Sequence, residues 1–332
     1  MRRLRLALAL LALLALAGSL VFAGPASATF SGRNGRIAWA VFNAGGGGGG
    51  GFASLTTYPA HPSHGKMIGY CPEDNDGNVC RNWRNVTYSR DGKHLLWDQT
   101  GASGTEVITL ANADGTNPQP TISDGFDDSQ ASFSGDGHEI VYVRQTEGAG
   151  GLFGTLVIRD LSNESTRVVQ PSIRGTAPLF APDGKTILFV RPDECGLAAG
   201  LWSIRPDGHG LHRLVAHLSV FDISPNGKSI AYVTVGGGVF IVNANESHTR
   251  RIAGKPTGDL PTSAVRFSPD GKLIAFTALA STGPAPYVIK AAGGMPRLIF
   301  DSGDPRNVTT GLSWQPLRPL NRRPAASDLP RE

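Results

Sequence analysis

Three places in this 332-residue chain hold residues whose types and spacing could do chemistry. The first is Cys71 to Cys80, which encloses Glu73-Asp74-Asn75-Asp76-Gly77-Asn78. Two thiols this near in sequence suit a local disulfide in an oxidising compartment. Closing such a loop contributes about 2.5–3 kcal/mol on the chain-entropy model. Oxygens at Asp74, Asp76 and Asn78 suit Ca²⁺, but the glycine is displaced from its EF-hand place and the bidentate acid is missing. The competing reading is a solvated acidic loop pinned by the disulfide. The Cys spacing fits no zinc pattern. Cys195 is left odd, as a buried single thiol or an intermolecular partner.

The second place is Asp127, Asp128 and Gln130, just ahead of an apolar strand. Two adjacent carboxylates there would bind a cation or a basic partner; the alternative is turn and cap chemistry. The third is a scatter of histidines, His61 with His64 and His209 with His212, and none of these spacings matches a ligand motif. The glycine run Gly45–Gly51 lacks the following helix and Lys of a phosphate cradle and reads as a flexible loop. No Gly-x-Ser-x-Gly elbow is present. These residues define no catalytic set and call for no cofactor.

The ends set the expected compartment. Arg2, Arg3 and Arg5 precede an almost wholly Leu, Ala and Val stretch from Leu6 to Phe22, and Ala26-Ser27-Ala28 follows. That order predicts a signal peptide over residues 1–28, cleaved near Ala28, and a mature protein that is secreted or held in the periplasm or cell envelope with no membrane span. The chain carries 31 Lys+Arg against 27 Asp+Glu. The surplus lies in the ends: three Arg in the leader, and Arg318, Arg322, Arg323 and Arg331 against Asp328 and Glu332 in the Pro/Arg-rich segment 318–332, which is expected to be disordered. The body between them is close to neutral. It shows no concentrated basic face, which argues against nucleic acid as a partner.

A repeat positions the candidate residues. Its cleanest copy is Phe267-Ser268-Pro269-Asp270-Gly271-Lys272-Leu273-Ile274-Ala275-Phe276, with others starting at Tyr88, Phe133, Phe180 and Ile223 and a looser one at Phe30. The turn glycines Gly92, Gly137, Gly184, Gly227 and Gly271 recur at a period of about 45 residues, within the range of propeller blades. Ser-Pro-Asp-Gly reads as a type I turn, with Gly where a left-handed conformation costs least. Short apolar strands flank each turn and two more strands follow, so each repeat is a four-stranded antiparallel unit. The expected fold is all-β: a six-bladed β-propeller over residues 29–317. Gly311–Gln315 would supply the strand that blade one lacks, closing the ring and removing exposed edges. Tyr88, Phe133, Phe180, Phe267 and Trp314 are the expected inter-blade aromatics, each contributing about 1.5–3 kcal/mol when buried.

These copies resemble the WD-like repeats of the TolB-type propeller family over nearly all of residues 30–316. The motif of an aromatic, Ser-Pro-Asp-Gly-Lys and an apolar strand is specific for fold and weak for function. In that family TolB is a periplasmic protein that binds other envelope proteins and carries an extra N-terminal domain, which is expected to be missing here because the propeller begins close to the expected cleavage site. Strand order places the lead-in loops and the loops between second and third strands on one face, and the tight Asp-Gly turns on the other. The loop face, with Asp74, Asp76, Asn78, Asp127, Asp128 and Gln130, is therefore the expected binding surface. The expected function is that of a monomeric interaction module, not an enzyme, binding an envelope or extracellular protein through the loop face and channel mouth. The alternative is a lyase or hydrolase acting on a small molecule or glycan at the channel.

Overall fold

The computed structural model describes residues 30–43, 53–58, 66–70, 81–100, 105–122, 125–145, 154–171, 173–192, 199–234, 238–253, 264–280, 283–300 and 307–317. Segments 1–29 and 318–332, the Cys71–Cys80 loop with Asp74, Asp76 and Asn78, and also Cys195, His61, His64 and Gly45–Gly51 lie outside these residues. Every regular element described is a β-strand, paired antiparallel to its neighbours. No helix among the described residues is long and apolar enough to cross a membrane.

The strands fall into four-stranded units in chain order. Unit two is representative: Arg81–Tyr88, His94–Thr100, Glu106–Asn112 and Gln119–Ile122 pair in sequence order. Unit three begins with Asp127–Phe133, unit four with Arg174–Phe180, unit five with Leu218–Ile223 and unit six with Val265–Phe267. Units three and four run into one eight-stranded sheet through Gly154↔Gly175 and Thr155↔Arg174. Unit one differs in origin: its outer strands come from residues 33–70, and its first strand is Asn307–Leu317, paired with Arg33–Asn43.

Core packing follows the repeat. Tyr88, Phe133, Phe180, Phe267 and Ile223 are buried, each at the end of a first strand, and Trp314 is buried near the end of Asn307–Leu317. Trp314 and Leu312 share a cluster with Ile37, Trp39, Ala264, Ala275 and Val288, so unit six packs on unit one. Hydrogen bonds add to this contact, from the Gly32 amide to the Pro269 carbonyl (3.1 Å) and from the Asp270 amide to Asn34 Oδ1 (3.1 Å). Phe30 is buried in the largest cluster, and Ser31 Oγ donates to the Pro225 carbonyl of unit five (3.1 Å). The segment entering unit one therefore lies across the turn end toward units five and six.

The turns repeat in atomic detail. Ser89 Oγ donates to Asp91 Oδ1 (2.7 Å) and accepts the His94 amide (3.0 Å), while Asp91 accepts the Lys93 amide (3.0 Å). The same three bonds recur at Ser134/Asp136, Ser224/Asn226 and Ser268/Asp270. Each turn then passes through a left-handed glycine, with φ of 69° at Gly92 and 80° at Gly137, a conformation glycine adopts without a Cβ penalty. A side chain on Gly92 would also strike the Pro316 carbonyl.

Candidate functional site

At the opposite end, where second strands finish and third strands begin, the units differ from one another. In unit two Arg84 faces Asp98 across the first strand pair. At the matching position the other units carry Val143, Val190, Val233 and Thr277. Asp98 is 1% exposed. Its Oδ2 accepts the Gln130 amide of unit three (2.7 Å) and the Asn85 side-chain amide, while Oδ1 has no hydrogen-bond partner among the described residues. Burial pushes its carboxyl up to about 7, against the hydrogen bonds from Asn85 and Gln130 and the charge of Arg84; nearby Asp128 adds to the rise. Arg84 pairs with Glu106, and burial lowers its own pKa.

Unit three reverses the charges of that pair. Asp128 is fully buried and takes a bidentate bond from Arg144, Nε to Oδ1 at 2.9 Å and Nη2 to Oδ2 at 2.7 Å. The two residues are direct cross-strand partners. The guanidinium also donates to the Tyr142 hydroxyl (3.2 Å) and lies over the Phe126 ring, 4.6 Å from its centroid. Phe126 is 46% exposed, one of few large apolar side chains on the described surface. A buried carboxylate thus fixes an arginine, and the arginine backs an aromatic ring open to solvent. Next to it, Asp127 is exposed and its Oδ1 accepts the Glu106 amide (2.8 Å), joining units two and three.

The structure therefore gives the three candidates at this end separate positions. Asp127 is at the surface. Asp128 is inside, fully engaged by Arg144, so it offers no open ligand oxygen. Gln130 points along the wall: its Oε1 accepts Thr176 Oγ1 (2.6 Å) and the Ala177 amide (2.5 Å) of unit four. Sequence reasoning missed Asp98, Arg84, Arg144 and Phe126. Alignment of the repeats carried a signal for Asp98, an acid in a column of Val and Thr.

Four of the first strands share one irregularity that the repeat motif does not announce. Asn85, Gln130, Ala177 and Gly311 each stand three residues before the inter-unit aromatic, and all have positive φ: 62°, 61°, 51° and 70°. The ladder register shifts at each, as at a β-bulge. Left-handed Gln and Ala are uncommon and cost energy that surrounding contacts must offset.

Other polar groups serve the unit contacts. Ser313 Oγ accepts the Tyr88 amide (2.9 Å), and Asp222 Oδ2 accepts the Phe267 amide (2.6 Å). Asp222 also holds up the charge of fully buried Arg266, whose pKa burial pulls down to about 10. His212 meets Ser203 and the Gly210 carbonyl, and His209 meets Asp207, at the outer strand of unit four. A cleft of about 530 Å³ at the turn end is lined by Ser31, Arg90, Asp91, His94, Asp136 and Leu317, but Asp91 and Asp136 are engaged by their own turns. Among the described residues, no three His, Cys, Asp or Glu side chains gather as a metal site.

No protein-family model and no curated protein matches the chain. Solved structures do. TolB from Acinetobacter baumannii superposes with a TM-score of 0.66 at 18% identity, over 85% of this chain and 67% of that one. A nidogen/laminin complex matches at 0.64 and 10%, over 85% and 99%. Oligogalacturonate lyase from Vibrio parahaemolyticus matches at 0.50 and 9%, over 72% and 73%. At these identities the likeness is one of fold, and it is shared by binding proteins and enzymes alike. By its fold, this chain is a TolB-like β-propeller.

Proposed function

We propose that the chain is a secreted, monomeric six-bladed propeller that binds a protein partner of the envelope or extracellular space through its loop end, without catalysing a reaction. The pairing of Asn307–Leu317 with Arg33–Asn43 and the packing of unit six on unit one support a closed ring. A closed ring leaves only the short edges of the outer strands, so recognition falls mainly to the ends.

The observation that carries the binding reading is Phe126 on its Arg144–Asp128 support. An exposed aromatic is a hot spot when its rotamer is held before the partner arrives, because less side-chain entropy is then lost on binding. The bidentate pair is inside, satisfied and rigid, and the ring above it faces solvent. Asp127 and the Arg84–Glu106 pair give the ring a polar surround, the usual anatomy of an interface centre and rim. Among the described residues, the turn end lacks this arrangement, since its repeated polar groups satisfy one another within each turn.

A photo-cross-linking amino acid tests the reading when placed at Phe126 or, as a control, at Lys272 on the turn end. Cross-linking in the producing cell should capture a defined protein from position 126 and none from 272. Capture from position 272 alone would overturn the assignment.

A further inference from the structure

Asp98 connects three bulges. Its Oδ2 takes the Asn85 side chain, the bulge residue of unit two, and the backbone amide of Gln130, the bulge residue of unit three. Gln130 then reaches on with its side chain to Thr176 and to the amide of Ala177, the bulge residue of unit four. All three bulge residues are left-handed without being glycine; Asn tolerates this by type, but Gln130 and Ala177 need such contacts to hold their conformation. The relay is local to these units. Unit five has Val220 at the bulge position, and its second strand carries Val233 where Asp98 stands.

We propose that Asp98 is an acid-tightened latch: one proton on its buried carboxyl sets how firmly the first strands of units two, three and four are held together at the loop end. This rests on the propeller reading and on the loop end being the binding end, and it assigns that end a regulation by pH.

The physical basis is a carboxylate with half its hydrogen-bonding capacity unused. Ionised, Asp98 buries a charge whose Oδ1 is unanswered among the described residues. The charged groups acting on it are Arg84 from its own sheet and Asp128 from the first strand of unit three. Arg84 is shared with Glu106, and Arg144 is committed to Asp128. Neither cation is therefore dedicated to Asp98. A proton removes the charge and leaves Oδ2 still able to accept both amides. Opening the latch exposes the carboxyl to water, where it ionises near pH 4, whereas closed it ionises at about 7. The closed form thus binds the proton more tightly. Its advantage is complete below about pH 4, falls as pH rises, and is exhausted above about 7. In that window the opening equilibrium rises up to about tenfold per pH unit and is flat beyond it.

Amide hydrogen exchange on the free protein, corrected for intrinsic rates, reads this without a partner, so its failure is distinct from failure of the binding assignment. In the wild type, opening at the Gln130 and Ala177 amides should increase between pH 4.5 and 7 and level off above. Asp98→Asn should abolish that dependence and hold both amides at pH 8 at least as well protected as in the acid-treated wild type. Gln130→Gly keeps the left-handed backbone and the amide to Asp98 but removes the reach to unit four. It should leave residue 130 pH-dependent and uncouple Ala177. Dependence surviving in Asp98→Asn, or none in the wild type, would overturn the latch. Ala177 still following pH in Gln130→Gly would overturn the relay.

Discussion

The two ends of the units solve the same problem differently. At the turn end, one local device is copied: a serine, an acid or asparagine two residues on, and two backbone amides. Its partners lie within five residues of one another, so the motif specifies its own geometry and tolerates repetition. At the loop end, the buried carboxylates find their partners on another strand or another unit, as Asp128 does in Arg144 and Asp98 in Gln130. Such pairs depend on the whole assembly and differ from unit to unit. Local and repeated chemistry gives a platform, while non-local and individual chemistry gives a surface that can discriminate.

The ends should also respond oppositely to pH. At Asp136 the hydrogen bonds from Ser134 and the His138 amide hold the carboxyl below its ordinary value, and Asp91 and Asp270 end up lowered too, where similar bonds outweigh burial. Groups of this kind stabilise the fold above about pH 4, and that stability is lost as pH falls through their lowered pKa. Asp98 is the reverse, with stability lost as pH rises from about 4 to about 7.

The comparison breaks most completely if the platform itself is removed. A chain ending before Gly311 loses Leu312 and Trp314 from the core and the Ser313 bond to Tyr88, and leaves Arg33–Trp39 without a partner on one of its two edges. It should be insoluble or melt far below a chain ending after Leu317, which keeps the strand. Equal melting of the two would mean that the ring is closed some other way or that the count of six units is wrong. Next in size is the loop-end ion pair. Arg144→Ala strands a buried carboxylate and should cost about 3–5 kcal/mol in denaturant unfolding. A loss under 1 kcal/mol would show that Asp128 is solvated. Asp98→Asn should gain on the order of 4 kcal/mol at pH 8 and almost nothing at pH 4, measured as the difference between melts at the two values. At the turn end Ser134→Ala removes two short-range bonds and should cost only about 1–2 kcal/mol. The same change at Ser268 should add to it, since the turns are separate. Smallest of all, Phe126→Ala should leave the melting temperature within about a degree, because an exposed ring contributes little to the fold.

The division between the ends also marks what could be read from residue order. Turns, strands and inter-unit aromatics are encoded within ten residues, so Ser268-Pro269-Asp270-Gly271 announces both its own conformation and the strands beside it. The strand Asn307–Leu317 was legible as a stray copy of a first strand. Asp127, Asp128 and Gln130 drew notice as a polar group before a strand, but their roles were not legible. Whether Asp128 faces water or Arg144 depends on strand register, and whether Gln130 reaches unit four depends on a bulge no local motif requires. Asn85 and Gly311 suit a left-handed backbone by type; Gln130 and Ala177 do not, and only their neighbours across the unit boundary account for them. Phe126 looked like any loop residue until Arg144 was placed beneath it.

The central claim is that the loop end recognises a partner while the turn end serves as a platform. Affinity capture from culture supernatant and cell wall tests it most directly, comparing the wild type, Phe126→Ala and the turn-end variant Lys93→Ala/Lys272→Ala at equal folded concentration. The account predicts one protein recovered equally by the wild type and the turn-end variant, and at least tenfold less with Phe126→Ala, the loss of a hot-spot side chain. Undiminished recovery with Phe126→Ala, together with loss in the turn-end variant, would contradict it.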